Sequence, residues 1–210
     1  MPRGAAQHMS LLVPRCCLNA LSFQDAQFKQ NFIASAFEIN YLAHMNSIPT
    51  SDSPHAEKAG ATFRRARVAD LPFILELLAD DAIAAEREGG TTFDAQRYIT
   101  AFDNIDKDPN QLLAVIDVAG DVVGTLQLTF IPGLLRGGAW RGQIEAVRVS
   151  KNHRGGGLGQ AFILWAIEVC RERECLIVQL TTDRRRQDAH RFYERLRFES
   201  THFGYKLILQ

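Results

Sequence analysis

The stretch "IEAVRVSKNHRGGGLGQAFILWA", Ile144 to Ala166, runs from a β-rich segment through four glycines within five residues into a helix-forming segment. A strand that passes through glycines into a helix can cradle an anion. Backbone N–H groups converge without side chains in the way, beside the positive end of the helix dipole. Two phosphate loops of this general kind do not fit. A Walker loop needs Lys and then Ser or Thr after its last glycine, whereas Gly159 is followed by Gln160 and Ala161. The dinucleotide fingerprint G-x-G-x-x-G, started at Gly155, needs glycine where Gln160 stands; started one residue earlier, it needs glycine where Arg154 stands.

Outward from the loop, residues 61–210 carry clear patterns. "TFRRARVADL" reads as a short strand, and Asp70, Pro72 and the apolar Leu71, Leu75, Leu77 and Leu78 read as a capped helix. Thr91 or Thr92 is the expected cap of a second helix through "FDAQRYITAFDNI". "QLLAVIDV" and "VVGTLQLTF" flank Ala119-Gly120-Asp121 as a hairpin, with Leu126, Leu128 and Phe130 alternating against Thr125, Gln127 and Thr129. "GQIEAVRVS" is a further strand, and Leu158, Phe162, Trp165 and Val169 form one face of the helix after the glycines. "CLIVQLTT" reads as a buried strand, "QDAHRFYERL" as the last helix, and "STHFGYKLIL" as a closing hairpin.

Composition bounds the function. The chain has 210 residues, 46% of them hydrophobic, and no formal net charge. It lacks the ~20 consecutive apolar residues of a membrane span, and the balanced charge points to neither nucleic acid nor an anionic membrane as the main partner. Cys16, Cys17, Cys170 and Cys175 show no metal-ligand spacing, so no metal is expected and the thiols read as reduced, in a cytoplasmic protein. Residues 1–60 are poorly patterned and end in the linker-like "SIPTSDSPHAEKAG". All three methionines, Met1, Met9 and Met45, lie there, so a start codon placed too far upstream explains the segment as well as a real extension does. Residues 61–121 hold 6 Lys/Arg against 12 Asp/Glu, and residues 122–210 hold 14 against 8, so the glycine-loop half is the basic one.

The register that fits the loop is Arg-x-x-Gly-x-Gly, made by Arg154, Gly157 and Gly159 after the strand "IEAVRV". It is accompanied by "DAHRFYERLRF", close to A-x-x-F-Y-x-x-x-G-F. In these two motifs, and in the order of elements over residues 62–210, the chain resembles the GNAT superfamily of N-acetyltransferases. The resemblance implies an α/β fold with a mixed, mostly antiparallel twisted sheet of about six or seven strands. Helices would cover both faces, and the cofactor would enter between two central parallel strands. It implies acetyl-coenzyme A as co-substrate, its pyrophosphate held by Arg154, Gly155, Gly156, Gly157, Leu158 and Gly159, and its thioester and pantetheine by Val147, Arg148 and Val149.

The resemblance also implies that Tyr193 donates a proton to the departing thiolate. Tyr193 faces inward with Ala189, Phe192 and Leu196 at helical spacing, so a packed core tyrosine is the other reading. Glu145 alternates with Ile144 and Ala146, which places it on the same strand face as Val147 and Val149. The resemblance, in which some members place a glutamate here as general base, makes it the candidate base, with a structural salt bridge as the alternative. His153 and His190 read as surface residues flanking the motifs. Where the family usually has glycine after the tyrosine helix, this chain has Arg197, in a position that favours a left-handed backbone.

The implied reaction is direct acetyl transfer to a primary amine, with a small-molecule acceptor favoured and homodimer formation left open. The alternative is a coenzyme A-binding module that has lost catalysis and acts by interaction. The first two helices, with Asp80, Asp81, Glu86 and Glu88, and the loop Ile131–Gly142, marked by Trp140, are the expected determinants of the acceptor; the loop reads either as a lid or as an ordinary hairpin connection, and the acidic residues either as a lure for a cationic amine or as a solvated helix face.

Overall fold

The computed structural model describes residues 57–58, 60–80 and 94–209. The chain divides after Asn46 into two units, and all described residues lie in the second, Ser47–Gln210. The expected extension and linker, residues 1–60, fall almost wholly outside the described residues.

The strands are β1 (Glu57–Lys58), β2 (Ala61–Arg65), β3 (Gln111–Val118), β4 (Asp121–Ile131), β5 (Trp140–Val149) and β6 (Cys175–Leu180), hydrogen-bonded in that order. Five of them carry the architecture; β1 is a two-residue extension of one edge. All neighbours are antiparallel except β5 and β6. The parallel pair therefore ends the sheet instead of occupying its centre as expected. At the β3–β4 turn, Ala119 and Gly120 both have positive φ (52° and 96°), the two-residue geometry that matches the twist of paired strands.

Among the described residues, four helices of nine residues or more flank the sheet: α1 (Leu71–Ala79), α2 (Ala95–Lys107), α3 (Leu158–Glu172) and α4 (Gln187–Arg195). Leu112, Ala114 and Ile116 of β3, Leu126, Leu128 and Phe130 of β4, and Ile144 of β5 pack with α3 in the larger core. Phe162 of α3 meets Phe63 at 5.1 Å and Trp165 at 5.7 Å between ring centroids. The expected stripe of α3 is buried, together with Ala161, Ile163, Ala166 and Cys170. Residues of opposite parity, Leu113 and Val115, pack with Ile74 of α1 and Phe102 of α2. Helices thus cover both faces, as strand alternation requires.

Two helix starts differ from the sequence expectation. Asp94 caps α2, accepting from the N–H groups of Gln96 (3.0 Å) and Arg97 (3.3 Å); Thr91 and Thr92 lie outside the described residues. Asp70 precedes α1, but its carboxylate makes no cap bond to that helix. It accepts instead from both terminal nitrogens of Arg64, at 2.7 and 3.0 Å, and from the N–H of Arg67 at 2.7 Å. Arg64 Nε also reaches Asp117 of β3 at 3.0 Å, so one guanidinium ties β2, β3 and the entry to α1 together.

The Arg64 hydrogen bond holds the Asp70 carboxyl below its usual range, against the opposing effect of burial. A depressed folded-state pKa gives stability that is present above the unfolded value of ~4 and lost as pH falls through the folded one. Asp70→Asn should therefore cost ~1–3 kcal/mol at pH 7. In urea melts the gap from wild type should narrow below about pH 4. A gap that is constant with pH would mean packing, not charge, holds this corner.

The C-terminal expectation does not hold. Residues 199–209 form no strand, and Phe203, Tyr205, Leu207 and Leu209 are all exposed. β6 accordingly has no partner on its outer side among the described residues, and it is a half-buried edge with Leu176 exposed, not a buried strand.

Candidate active site

β5 follows β6 in register only from Trp140 to Ile144, the last pair being Ile144 with Leu180. From Glu145 to Val149 the strand is paired on its β4 side alone. A wedge therefore opens between two parallel strands, and the glycine loop lies at its end, immediately after β5.

A bulge shapes the same segment. Gln127 pairs with Glu145 and Thr125 with Arg148, so one residue of β4 faces two of β5, and Ala146 takes φ 53°. This corrects the sequence-derived alternation. Glu145 and Arg148 register with Gln127 and Thr125 on the α1 and α2 side of the sheet. Val147 and Val149 pack against the α3 core, on the face opposite to Glu145. Glu145 is exposed and, among the described residues, makes neither a hydrogen bond to its side chain nor a salt bridge, so the structural ion pair considered for it is not formed.

The loop combines open backbone with a helix start. Gly155 (φ 84°) and Gly157 (φ 80°) are left-handed, and Gly157 is the N-cap of the 15-residue α3. A Cβ at Gly155 or Gly156 would meet nothing within 4 Å, so both stand exposed with space around them. Gly159, in the first turn, lies where a Cβ would touch Val149 Cγ2 at 3.5 Å and Phe192 Cζ at 3.9 Å. Leu158 is buried and anchors the turn in the core. Arg154 is exposed, and its Nε donates to the Val149 carbonyl at 2.9 Å, strapping the loop to the end of β5. A cradle of bare backbone at a long helix's N-terminus fits a diphosphate.

The contact of Gly159 with Phe192 brings α4 to this place. Tyr193 packs edge-on against Phe192 (5.1 Å) and Phe198 (5.8 Å) and belongs to the rim of the α3 core, half-buried. Burial pushes its phenol above the usual tyrosine value, with the charges of Arg148 and Arg186 pulling the other way. It stays protonated at neutral pH, able to donate. Its hydroxyl has no hydrogen-bond partner among the described residues.

The end of α4 fixes that ring. The N–H of Arg197 donates to the Glu194 carbonyl at 2.9 Å and the N–H of Phe198 to the Tyr193 carbonyl at 3.0 Å, a Schellman closure with the Phe198–Tyr193 contact as its apolar partner. Arg197 takes φ 66°, the left-handed state expected from its position. The closure is regular although the left-handed residue is not a glycine. Arg197→Gly should relieve ~1 kcal/mol of strain and raise the melting temperature by a few degrees. A fall in melting temperature would contradict this.

The remaining expectations divide. Arg148 donates to the Val147 carbonyl at 2.8 Å. His153 and His190 are half-buried, and His190 Nε2 contacts the Asp183 carbonyl at 3.0 Å. Trp140 packs at the core rim and is no lid, while Leu134 and Leu135 in the loop before it are exposed. Asp80 pairs with Lys151; Asp81, Glu86 and Glu88 lie outside the described residues. Cys170 is fully buried against Gly142, its thiol pushed up by the Cys175 hydrogen bond and by burial, which makes it a poor nucleophile. No cluster of metal-ligating side chains occurs among the described residues, and none of their helices is long and apolar enough to cross a membrane.

Comparison with known proteins agrees with this geometry. The chain is 33% identical over 102 residues to the aminoalkylphosphonate N-acetyltransferase of Salmonella typhimurium, covering 49% of this chain and 66% of that one. It is 37% identical over 81 residues to the glucosamine 6-phosphate N-acetyltransferase of Trypanosoma brucei brucei, covering 39% and 53%. The match thus spans less than two thirds of either relative. Among solved structures, a transcriptional regulator from Bacillus halodurans C-125 superposes with TM-score 0.67 at 42% identity, over 71% of this chain and 99% of that one. An acetyltransferase from Trypanosoma brucei superposes with TM-score 0.59 at 27% identity, over 71% and 99%. The family described as acetyltransferase (GNAT) matches residues 72–198, well over half of the sequence, and the chain belongs to that family.

Proposed function

We propose that this protein is an acetyl-coenzyme A-dependent N-acetyltransferase acting on a small primary amine. The observation that carries the reading is the separation of β5 from β6 beyond Ile144, which opens beside the glycine loop and beside Tyr193. Gly155 to Gly159 and Arg154 would hold the diphosphate, and the unpaired side of β5 at Val147, Arg148 and Val149 would align the pantetheine arm. Acetyl-coenzyme A supplies the activated acyl group.

In the proposed reaction the amine nitrogen forms a bond to the thioester carbon and the carbon–sulfur bond breaks. Glu145, on the sheet face opposite to Val147, accepts the proton from the attacking nitrogen, directly or through water. Tyr193, protonated and with no competing hydrogen bond among the described residues, delivers a proton to the sulfur. The names of the two curated relatives both specify small amines, which supports a small acceptor over a protein tail.

A thioester-consumption assay against amino acids, polyamines, amino sugars and short peptides tests the reading. Turnover with a small amine is expected. Coenzyme A binding without turnover of any amine would favour the catalytically inactive interaction module. Glu145→Gln should lower kcat/KM most at neutral pH, where the acceptor is largely protonated, and recover in part as pH rises. An unchanged pH profile would remove Glu145 as the base.

A further inference from the structure

The sheet face that carries Glu145 changes character along its strands. Under α1 and α2 it is apolar, with Leu113 and Val115 buried. Farther from α1 it becomes a row of uncharged hydrogen-bonding side chains. Gln111 of β3 pairs in register with Thr129 of β4, Thr129 with Gln143 of β5, and Gln143 with Gln179 of β6, one unbroken row across four strands. Gln127, directly opposite Glu145, adjoins it. All five are half-buried. At ~4.8 Å between strands the row spans ~14 Å, the length of a small polar metabolite. It borders the point where β5 and β6 part, and Glu145 is the first residue beyond their last pair.

The bonds within the row leave a defined set of groups. Gln127 Nε2 and Thr129 Oγ1 both donate to Gln111 Oε1, at 3.0 and 2.9 Å, and Gln179 Nε2 donates to Gln143 Oε1 at 2.7 Å. The amide nitrogens of Gln111 and Gln143 remain as donors, and the amide oxygens of Gln127 and Gln179 as acceptors. Donors and acceptors alternate over a short span, with Glu145 and Arg141 on either side of Gln143 along the same face of β5 and Arg65 Nη2 donating to the Gln111 carbonyl at 3.3 Å. A hydroxyl group, which donates and accepts at once, answers this arrangement; an alkyl chain leaves every one of these groups unpaired.

We propose that this row is the acceptor platform and that the acceptor is an amine bearing hydroxyl groups, an inference that rests on the acetyl-transfer reading above. Gln143 and Gln179 are the specificity residues, since they flank the opening.

The test compares two amines of matched shape, 2-amino-1,3-propanediol and 3-aminopentane, on the full chain with acetyl-coenzyme A. Rates are expressed per unprotonated amine, because hydroxyls lower the amine pKa. The diol should be preferred in kcat/KM by about tenfold or more. Gln143→Met with Gln179→Met should bring the ratio towards unity by raising KM for the diol. Gln179→Met alone, on the edge strand, should give part of that shift if the double variant folds poorly. A wild-type ratio near unity, or a ratio that survives the substitutions, overturns the proposal. Saturation-transfer NMR with coenzyme A present reads the platform without chemistry. Diol binding that is lost in the variant upholds the platform even where neither amine is acetylated, a result that would count against the acetyl-transfer reading alone. Equal or absent binding of both amines overturns the platform.

Discussion

Gly156→Val is expected to weaken coenzyme A binding at least about tenfold while leaving the melting temperature within about 2 °C of wild type. A Cβ at Gly156 meets no heavy atom within 4 Å, and the residue is not left-handed, so the folded chain tolerates the side chain. The added isopropyl group would occupy the space through which a diphosphate reaches the backbone N–H groups. Gly157→Val makes the contrast. With φ 80° at the N-cap of α3, a branched side chain there is strained by ~1–3 kcal/mol, so this variant should lose stability and binding together. Calorimetry and thermal melts on the pair separate the two effects. An unchanged dissociation constant in Gly156→Val would remove the loop as the diphosphate site.

Tyr193→Phe should lower kcat by roughly ten- to a thousandfold and leave KM for acetyl-coenzyme A nearly unchanged. The ring contacts with Phe192 and Phe198 survive the substitution, and the hydroxyl has no hydrogen-bond partner among the described residues to lose, so the melting temperature should hold. The sign of the pH effect follows from burial. With its folded-state pKa raised, Tyr193 contributes stability that is fully present below the unfolded value of ~10 and is lost as pH rises through the folded one. That alkaline loss should be smaller in Tyr193→Phe. Full activity of this variant would assign proton delivery to solvent and make Tyr193 a packing residue.

Much of the geometry of the candidate site was legible in the residues. The spacing Arg154, Gly157, Gly159 marks the loop because only glycine leaves the backbone bare there, and Gly157 is indeed left-handed. The period of Phe192, Tyr193 and Leu196 places them inward. Arg197 is left-handed because the chain must turn after α4, whatever residue stands there. The face of Glu145 was read correctly relative to Ile144, but its company was not. Strict alternation put Val147 and Val149 beside it, and the bulge at Ala146 moved them to the other side. An alanine gives no local sign of a left-handed φ, since it is the register with β4 that imposes it.

The sequence by itself determined the family-defining loop, the inward faces of α3 and α4 and the β3–β4 hairpin, all of which depend on local periodicity or on a backbone state that few residues permit, whereas Ile74, the buried residue of α1, fell outside the expected stripe. Tertiary structure decided what depends on partners. "STHFGYKLIL" alternates like a strand, yet no strand forms, because alternation does not supply the N–H and C=O groups of a neighbour. Asp70 looks like a helix cap, yet Arg64, six residues away, offers its carboxylate a stronger bond. Gln111, Gln127, Gln143 and Gln179 are unremarkable in separate strands. They come together along one row, with Thr129, only because three registers align four strands, and a register is a property of the sheet, not of any strand within it.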